Sequence, residues 1–288
     1  MEPGELQGEP RSLPEVLAQA TARLKRAGVQ TPRLDAELLL AEACRLSRAE
    51  LLTRREPLSE SESERFDAML SRRGRREPLA YILGRKEFFS LDFEVNPQVL
   101  IPRPETETLA AAALDFLKAR GEARVLDIGT GSGILAVTLA VSEPRARIVA
   151  TDVSSGALKV ARRNARRNRR AERIEFLRAD LFPPGAERFD LVVSNPPYIE
   201  DQLIDALAPE VARFEPRTAL AGGADGLDFY RRIGARARTR LNPDGALMVE
   251  IGAGQGAKVG EIFERSGLKV VAVLRDLAGI ERVVHARA

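Results

Sequence analysis

Two short runs hold the residue types whose spacing could do chemistry: Gly129-Thr130-Gly131-Ser132-Gly133 and Asn195-Pro196-Pro197-Tyr198. The first follows an apolar stretch, Arg124 to Ile128, and precedes a helix signal that begins near Ile134. Glycines let the backbone turn sharply and let a ligand approach the bare chain, while the following helix offers free amide groups. The spacing is GxGxG, and the sixth place of the dinucleotide fingerprint GxGxxG is Ile134, which argues against a nicotinamide cofactor. The Gly-Lys-Ser/Thr ending of a phosphate loop is missing too, so a nucleoside triphosphate is disfavoured. Asp152 ends the next strand, VATD, where a carboxylate can accept both hydroxyls of a ribose. Its other reading is a cap for the following helix, a task that Ser154 or Ser155 could perform. In RADLF, Asp180 could accept a hydrogen bond from an adenine amine, and the Leu181 amide could meet a ring nitrogen. Loop, ribose acid and adenine edge together describe a nucleoside without a pyrophosphate.

The second run stands at the carboxyl end of an apolar strand, Phe189 to Ser194, the edge where open α/β sheets place their ligands. Its two prolines stiffen the turn and remove two backbone donors, so carbonyl oxygens dominate its polar surface. A primary amide or an aromatic amine carries two N–H donors, which the Asn195 side-chain oxygen and the Pro196 carbonyl could each accept. Tyr198 could cover the planar group, with Pro197 completing the wall. An amide nitrogen is a poor nucleophile because its lone pair is delocalised, so its partner must be activated already, as the sulfonium methyl of S-adenosylmethionine is. The task left to the chain is orientation of the nitrogen, for which Asn195, Pro196 and Tyr198 are the catalytic candidates.

No other set of residues competes. His285 is the sole histidine and reads as structural, in the last strand. Cys44 is the sole cysteine, which excludes an intramolecular disulfide and reads as a small core residue on a helix. No His/Cys/carboxylate spacing suggests a metal, and no GxSxG nucleophile motif occurs. The net charge of +3 is small for 288 residues, with basic clusters at Arg72, Arg73, Arg75 and Arg76 and along Arg162 to Arg173. The second cluster reads as a solvated helix face in preference to a nucleic-acid patch, although an RNA-like partner stays open. The start, MEPGELQGEPRS, lacks the basic and apolar regions of a signal peptide, and no run approaches the roughly 18 apolar residues of a membrane span. The expectation is a cytoplasmic protein.

The elements that position these residues fall into three stretches. Residues 1–84 read as helices only: Ser12 with Glu15, Ser47 with Glu50 and Ser59 with Glu62 have capping-box spacing. Leu13, Val16, Leu17, Ala20 and Leu24 recur at helical period before a stop at Gly28; Pro32 opens a second helix with Leu34, Leu38, Leu39 and Leu40 as its apolar side. A small helical bundle follows. Residues 85–104 read as a linking β-hairpin, with Phe88, Phe89, Leu91, Phe93 and Val95 before an interruption at Asn96-Pro97 and a resumption at Val99 to Ile101. Residues 105–288 alternate strand and helix signals, with strands at Arg124–Ile128, Arg147–Thr151, Arg173–Leu177, Phe189–Ser194, Gly245–Ile251 and Lys269–Leu274. That alternation predicts an α/β fold with a mostly parallel sheet covered on both faces. A last strand, Glu281–His285, follows after too short a turn for a parallel crossover, so it is predicted antiparallel.

With these residues in place, the chain resembles the release factor glutamine N5-methyltransferases, the HemK/PrmC family, over nearly its whole length. DIGTGSG and NPPY are shared with adenine N6-methyltransferases; more specific are EPLAYILGRKEFFSLDFEVNPQVLIPRPETE, FEPRTALAGGADGLDFYRRI and GIERVV. The resemblance implies a Rossmann-like class I methyltransferase sheet, with Gly129 to Gly133, Asp152, Leu181 and Asn195 binding S-adenosylmethionine and Asn195 to Tyr198 holding a glutamine. It implies methylation of the GGQ motif of class I peptide chain release factors, a translation-termination role, with S-adenosylhomocysteine as product, and a helical domain that helps bind the release factor. An adenine N6-methyltransferase acting on nucleic acid and a non-catalytic release-factor or RNA-binding module are the competing readings. The first lacks an aromatic-basic reading surface, and the second sits badly with an intact loop, acid and NPPY.

Overall fold

A computed structural model describes residues 12–288; most of the acidic start, through Arg11, lies outside the described residues. The chain divides into two compact units between Leu83 and Gly84.

The first unit consists of helices α1 (Leu13–Arg26), α2 (Pro32–Cys44), α3 (Arg48–Thr53), α4 (Glu60–Gly74) and α5 (Leu79–Leu83). Local chemistry starts them. The Glu50 carboxylate accepts the Ser47 amide at 2.7 Å and the Ser47 hydroxyl oxygen accepts the Glu50 amide at 3.2 Å. Ser59 and Glu62 make the same pair at 2.8 and 3.3 Å, and Glu15 accepts from the Ser12 amide at 3.0 Å. Gly28, in the left-handed region at φ +78°, follows α1 as its stop. Leu17, Leu24, Leu39, Leu40, Phe66 and Leu70 form the core. On α2, Leu39 and Leu40 are buried as expected, but Leu34 is exposed, whereas Asp35 and Glu37 are buried. Each acid is buried because arginine meets it. Arg73 donates to Asp35 at 2.7 Å, and Arg33 and Arg48 both reach Glu37. Arg72 likewise pairs with Glu77, so the first arginine cluster holds this unit together internally. Cys44 ends α2 and is only partly buried.

The second unit opens with the hairpin of β1 (Arg85–Phe88) and β2 (Leu91–Glu94). Its turn lies earlier than the break at Asn96-Pro97 suggests: Phe89 and Ser90 both take positive φ, 52° and 59°, as a tight hairpin turn requires, without the glycine or asparagine that would signal it. Val99 and Ile101 do not form a strand but are buried. Next come α6 (Thr106–Arg120), β3 (Ala123–Ile128), α7 (Ile134–Ser142), β4 (Ala146–Asp152), α8 (Ser155–Arg167), β5 (Ile174–Arg178) and β6 (Phe189–Ser194). The chain closes with α9 (Pro209–Phe214), α10 (Asp228–Arg240), β7 (Leu241–Glu250), α11 (Gly256–Arg265), β8 (Lys269–Arg275) and β9 (Glu281–Arg287). The strand order is β5-β4-β3-β6-β7-β9-β8. The first five strands run parallel, and β9 lies antiparallel between β7 and β8, as its short connection demands. Strand β7 begins four residues before the expected Gly245, because Leu241 already pairs with Phe189 ahead of a register shift.

Side chains alternate between two cores. Val125, Leu191 and Met248 face Leu109, Leu117 and Leu139 from α6 and α7. Leu126, Val192 and Val249 face Tyr230, Ile233 and Phe263 from α10 and α11. A parallel sheet buried on both faces fixes where each strand ends, and the ends of β3 and β6 carry the site.

Candidate active site

Neighbouring parallel strands β3 and β6 end in register, with Ile128 opposite Ser194. Gly129 and Asn195 therefore leave the sheet side by side. Chain order runs outward from β3 to β4 and β5, then returns to β6 on the other side of β3. This is the reversal point at which such sheets open a ligand crevice. A cleft stands there, lined by Gly129 to Ser132, Asp152, Asp180, Leu181, Asn195 and Pro197.

The glycine loop is held from several sides. Gly129, Gly131 and Gly133 all take positive φ, which glycine adopts without a steric penalty. The Thr130 amide donates to the Thr151 carbonyl at 2.9 Å, carrying the β3–β4 ladder into the loop. Gly133 is not a lining residue; a Cβ there would come within 3.1 Å of Ala161 on α8, so glycine permits that helix to approach. Beneath the loop, Asp127 is buried, and its Oδ2 accepts from Thr130 Oγ1 at 2.6 Å and from the Ala136 amide at 3.1 Å. Its Oδ1 has no partner although Asp127 borders the cleft. Burial pushes this carboxyl up to about 7 against those two hydrogen bonds, and the charge of Asp152 adds to the rise. An unmatched acceptor, bare glycine backbone and a second acid at the next strand end fit a positively charged nucleoside derivative.

Asp152 accepts from the Gly131 amide at 2.9 Å and from the Ser154 amide at 2.8 Å. Capping of α8 falls to Ser154, whose hydroxyl oxygen accepts the Ala157 amide at 3.1 Å. Burial raises the Asp152 pKa against the hydrogen bonds from Ser154, Gly131 and Val153. Asp180 is exposed at the cleft margin and ion-paired with Arg232 at 2.5 Å. Leu181 takes a left-handed φ of 66°, and its carbonyl accepts the Thr151 hydroxyl at 2.6 Å. The threonine thus ties the third strand end of the cleft to the first two.

Pro196 and Tyr198 are not lining residues of this cleft; they line an adjoining pocket with Leu207, Val211 and Leu220. Asn195, Leu100, Arg103 and Ala219 border both spaces. Asn195 donates through Nδ2 to Thr106 Oγ1 at 3.1 Å. Burial pushes the Tyr198 phenol up to about 12, so it is protonated at neutral pH. The segment after NPPY wraps this loop: the Ile199 amide donates to the Leu220 carbonyl at 3.1 Å, and the Gly222 amide to the Ile199 carbonyl at 2.8 Å. At Gly226, with φ +72°, a Cβ would lie 2.4 Å from the Tyr198 carbonyl oxygen. Buried Glu215 accepts from Arg103 at 2.5 Å and from the Ile101 amide at 3.1 Å, fixing the strap that separates hairpin from α6.

Sequence reasoning missed Thr106, Asn164, Glu215 and Glu250. Asn164 is fully buried on α8; its Nδ2 donates to the Ser132 carbonyl at 2.9 Å and the Glu94 carbonyl at 3.0 Å, and its Oδ1 accepts the Glu94 amide at 2.7 Å. It joins the glycine loop to the hairpin. The only local signal is an asparagine among the arginines of an otherwise amphipathic helix. His285 lies half-buried on β9 with Nε2 unpaired, its pKa lowered by burial and then by Arg287, away from the cleft residues. Among the described residues no group of three or more His, Cys, Asp or Glu could hold a metal ion.

Residues 15–84 match the PrmC N-terminal domain, and residues 107–212 match the methyltransferase small domain. The release factor glutamine methyltransferase of Geobacter sulfurreducens is 46% identical over 275 residues, 95% of each chain. That of Cereibacter sphaeroides is 45% identical over 95% of this chain and 97% of its own. The chain belongs to the release factor glutamine methyltransferase family. Family membership covers both compact units, so the helices of residues 12–83 are as much a part of the resemblance as the sheet. The fold of this family member is also that of solved class I methyltransferases. A methyltransferase from Pyrococcus furiosus aligns with a TM-score of 0.52 at 20% identity, over 75% of this chain and 97% of that one. The hMettl16 catalytic domain, in complex with a 3′UTR hairpin, aligns at 0.58 and 18% identity, over 76% and 80%.

Proposed function

We propose that the chain transfers a methyl group from S-adenosylmethionine to the N5 side-chain amide nitrogen of a glutamine in class I peptide chain release factors, releasing S-adenosylhomocysteine. The observation that carries this reading is the register of Ile128 with Ser194, which sets the glycine-loop cleft against the NPPY pocket in a chain of this family. When bound, the cofactor supplies a methyl group already activated by its sulfonium. Gly129 to Ser132 would line its amino-acid part, with Asp127 Oδ1 as the acceptor for its ammonium. Asp152 would accept the ribose hydroxyls, and the margin of Asp180 and Leu181 would meet the adenine. Asn195 Oδ1 and the Pro196 carbonyl would accept the two N–H groups of the glutamine amide, turning the nitrogen toward the methyl and favouring tetrahedral geometry there. Tyr198 and Pro197 would wall the planar amide. The N–CH3 bond forms as the methyl–sulfur bond breaks, after which the nitrogen releases one of its two protons to solvent and the other hydrogen stays bonded to the Asn195 or Pro196 oxygen that accepts it. A phenol pushed up to about 12 makes Tyr198 a wall and not a base.

The helical unit is assigned to release-factor recruitment, and the reaction to the cytoplasm, where such substrates act. No helix among the described residues is long and apolar enough to cross a membrane. Purified protein incubated with labelled cofactor and either release factor or DNA tests the reading. Label on a single glutamine of the release factor, undiminished by a chelator, is the expected result. Label on adenine, or none on either substrate, would overturn it.

A further inference from the structure

Glu250 is the last residue of β7, at the same sheet edge as Gly129 and Asn195, and it is 1% exposed. Thr106, fully buried, starts α6. The Asn195 carboxamide turns its nitrogen toward this pair, donating through Nδ2 to Thr106 Oγ1 at 3.1 Å. With that oxygen accepting, the threonine hydrogen is free to be donated onward. Strand β7 pairs with β6 up to Val249 opposite Ser194, so Glu250 stands beside Asn195, and its buried Oε2 has no hydrogen-bond partner. The Thr106 and Asn195 side chains both favour its charged form. An ionised carboxylate only accepts, whereas a carboxamide presents a donor on one side and an acceptor on the other. A buried carboxylate therefore draws Nδ2 toward itself and repels Oδ1.

We propose that Glu250, acting through Thr106, is the positioning residue that holds the Asn195 carboxamide with Nδ2 turned inward and Oδ1 presented to the substrate. This rests on the reading that Asn195 Oδ1 accepts from the glutamine amide. A flipped Asn195 would offer a donor to a donor, and the amide would lose the contact that orients it. The protonated acid lacks the same power of selection, because it can itself donate to Oδ1 of a flipped Asn195. Burial pushes Glu250 up to about 7; the Thr106 side chain, the charge of Arg282 on β9 and the Asn195 side chain oppose the rise, and Glu105 before α6 adds to it. Tyr198 and Tyr230 also face the carboxyl, both neutral in this range. Orientation of Asn195 is thus gained as pH rises through about 7.

The test is single-turnover methylation of whole release factor between about pH 6 and about pH 9 by the full-length protein and its Glu250→Gln, Thr106→Val, Thr106→Ser and Asn195→Ala variants. Calorimetric cofactor binding and circular dichroism accompany each variant. Thr106→Val and Glu250→Gln are expected to lower kcat on the order of tenfold, about one hydrogen bond in the transition state, with KM for release factor and cofactor affinity near wild type. Thr106→Ser should restore kcat, and Glu250→Gln should lose the rise in kcat through neutral pH. Wild-type activity in Asn195→Ala would defeat the reading of Asn195 itself. Lost activity in Asn195→Ala beside normal kcat in both Glu250→Gln and Thr106→Val would defeat this inference alone. So would parallel loss of cofactor affinity and kcat, the mark of a structural role. Should Glu250→Gln fail to fold, the Thr106 pair, valine against serine, decides the matter.

Discussion

Ser194 donates its hydroxyl hydrogen to the Ile128 carbonyl over 2.9 Å, joining the last residues of two strands 66 positions apart in sequence. Both residues are buried, so this bond is exchanged for no water contact in the folded chain. It fixes the separation of the glycine loop and NPPY at their roots. Everything the site can do depends on that separation, since a methyl transfer tolerates little error in the line from donor to acceptor.

Asp152 is braced by two backbone amides, from Gly131 and Ser154, with its side chain at the cleft. Replacing it by alanine removes the proposed ribose acceptor and loosens the loop together. Cofactor affinity in the Asp152→Ala variant should fall on the order of 1–3 kcal/mol, read by calorimetric titration. Unchanged affinity would reduce Asp152 to a brace of the loop.

Asp127 gives a pH signature of stability. Its folded pKa, raised to about 7 chiefly by burial, lies above the value in an unfolded chain. Between about pH 4 and about pH 7 the folded state keeps a proton that the unfolded state has released, so the contribution to stability declines as pH rises and is flat above. Urea denaturation of wild type and Asp127→Asn across this range should show the variant gaining relative to wild type up to about pH 7, then a constant difference. A difference independent of pH would rule out this assignment.

Arg73 and Asp35 form an ion pair with 7% and 4% of their side chains exposed. Removing the arginine leaves a buried carboxylate without its counter-charge. Arg73→Ala should therefore destabilise the protein by about 3–5 kcal/mol. Thermal melting monitored by helical circular dichroism measures it, and a cost below about 1 kcal/mol would mean that water reaches Asp35 readily.

A chain shortened to begin at Gly84 retains every residue of the cleft and the NPPY pocket. If the helical unit recruits the release factor, the shortened chain should bind cofactor normally and lose kcat/KM on whole release factor, with a much smaller loss on a short glutamine peptide. Circular dichroism first establishes that it folds. Equal losses on peptide and protein would indicate support of the active site instead of recruitment.

Much of this protein is written locally in its sequence. The capping pairs at Ser47 and Ser59, the stop at Gly28, the strand Phe189–Ser194 and the reversed last strand each depend on neighbours a few residues away, and each stands where spacing alone puts it. The glycine loop and NPPY were legible for the same reason: a turn that needs bare backbone, or a loop without donors, declares itself by composition. The hairpin turn at Phe89-Ser90 did not, because its positive φ angles are imposed by strand pairing and carry no glycine. The buried side of α2 was legible at Leu39 and Leu40 but not at Asp35 and Glu37, which look like surface residues until Arg73, Arg33 and Arg48 are seen beside them. Thr106 and Glu250 were invisible for a further reason. Thr106 stands 89 residues from Asn195, and Glu250 reaches it only because β7 lies next to β6. Strand order is a property of the packed sheet, where two hydrophobic faces must be covered at once, and no local spacing encodes it.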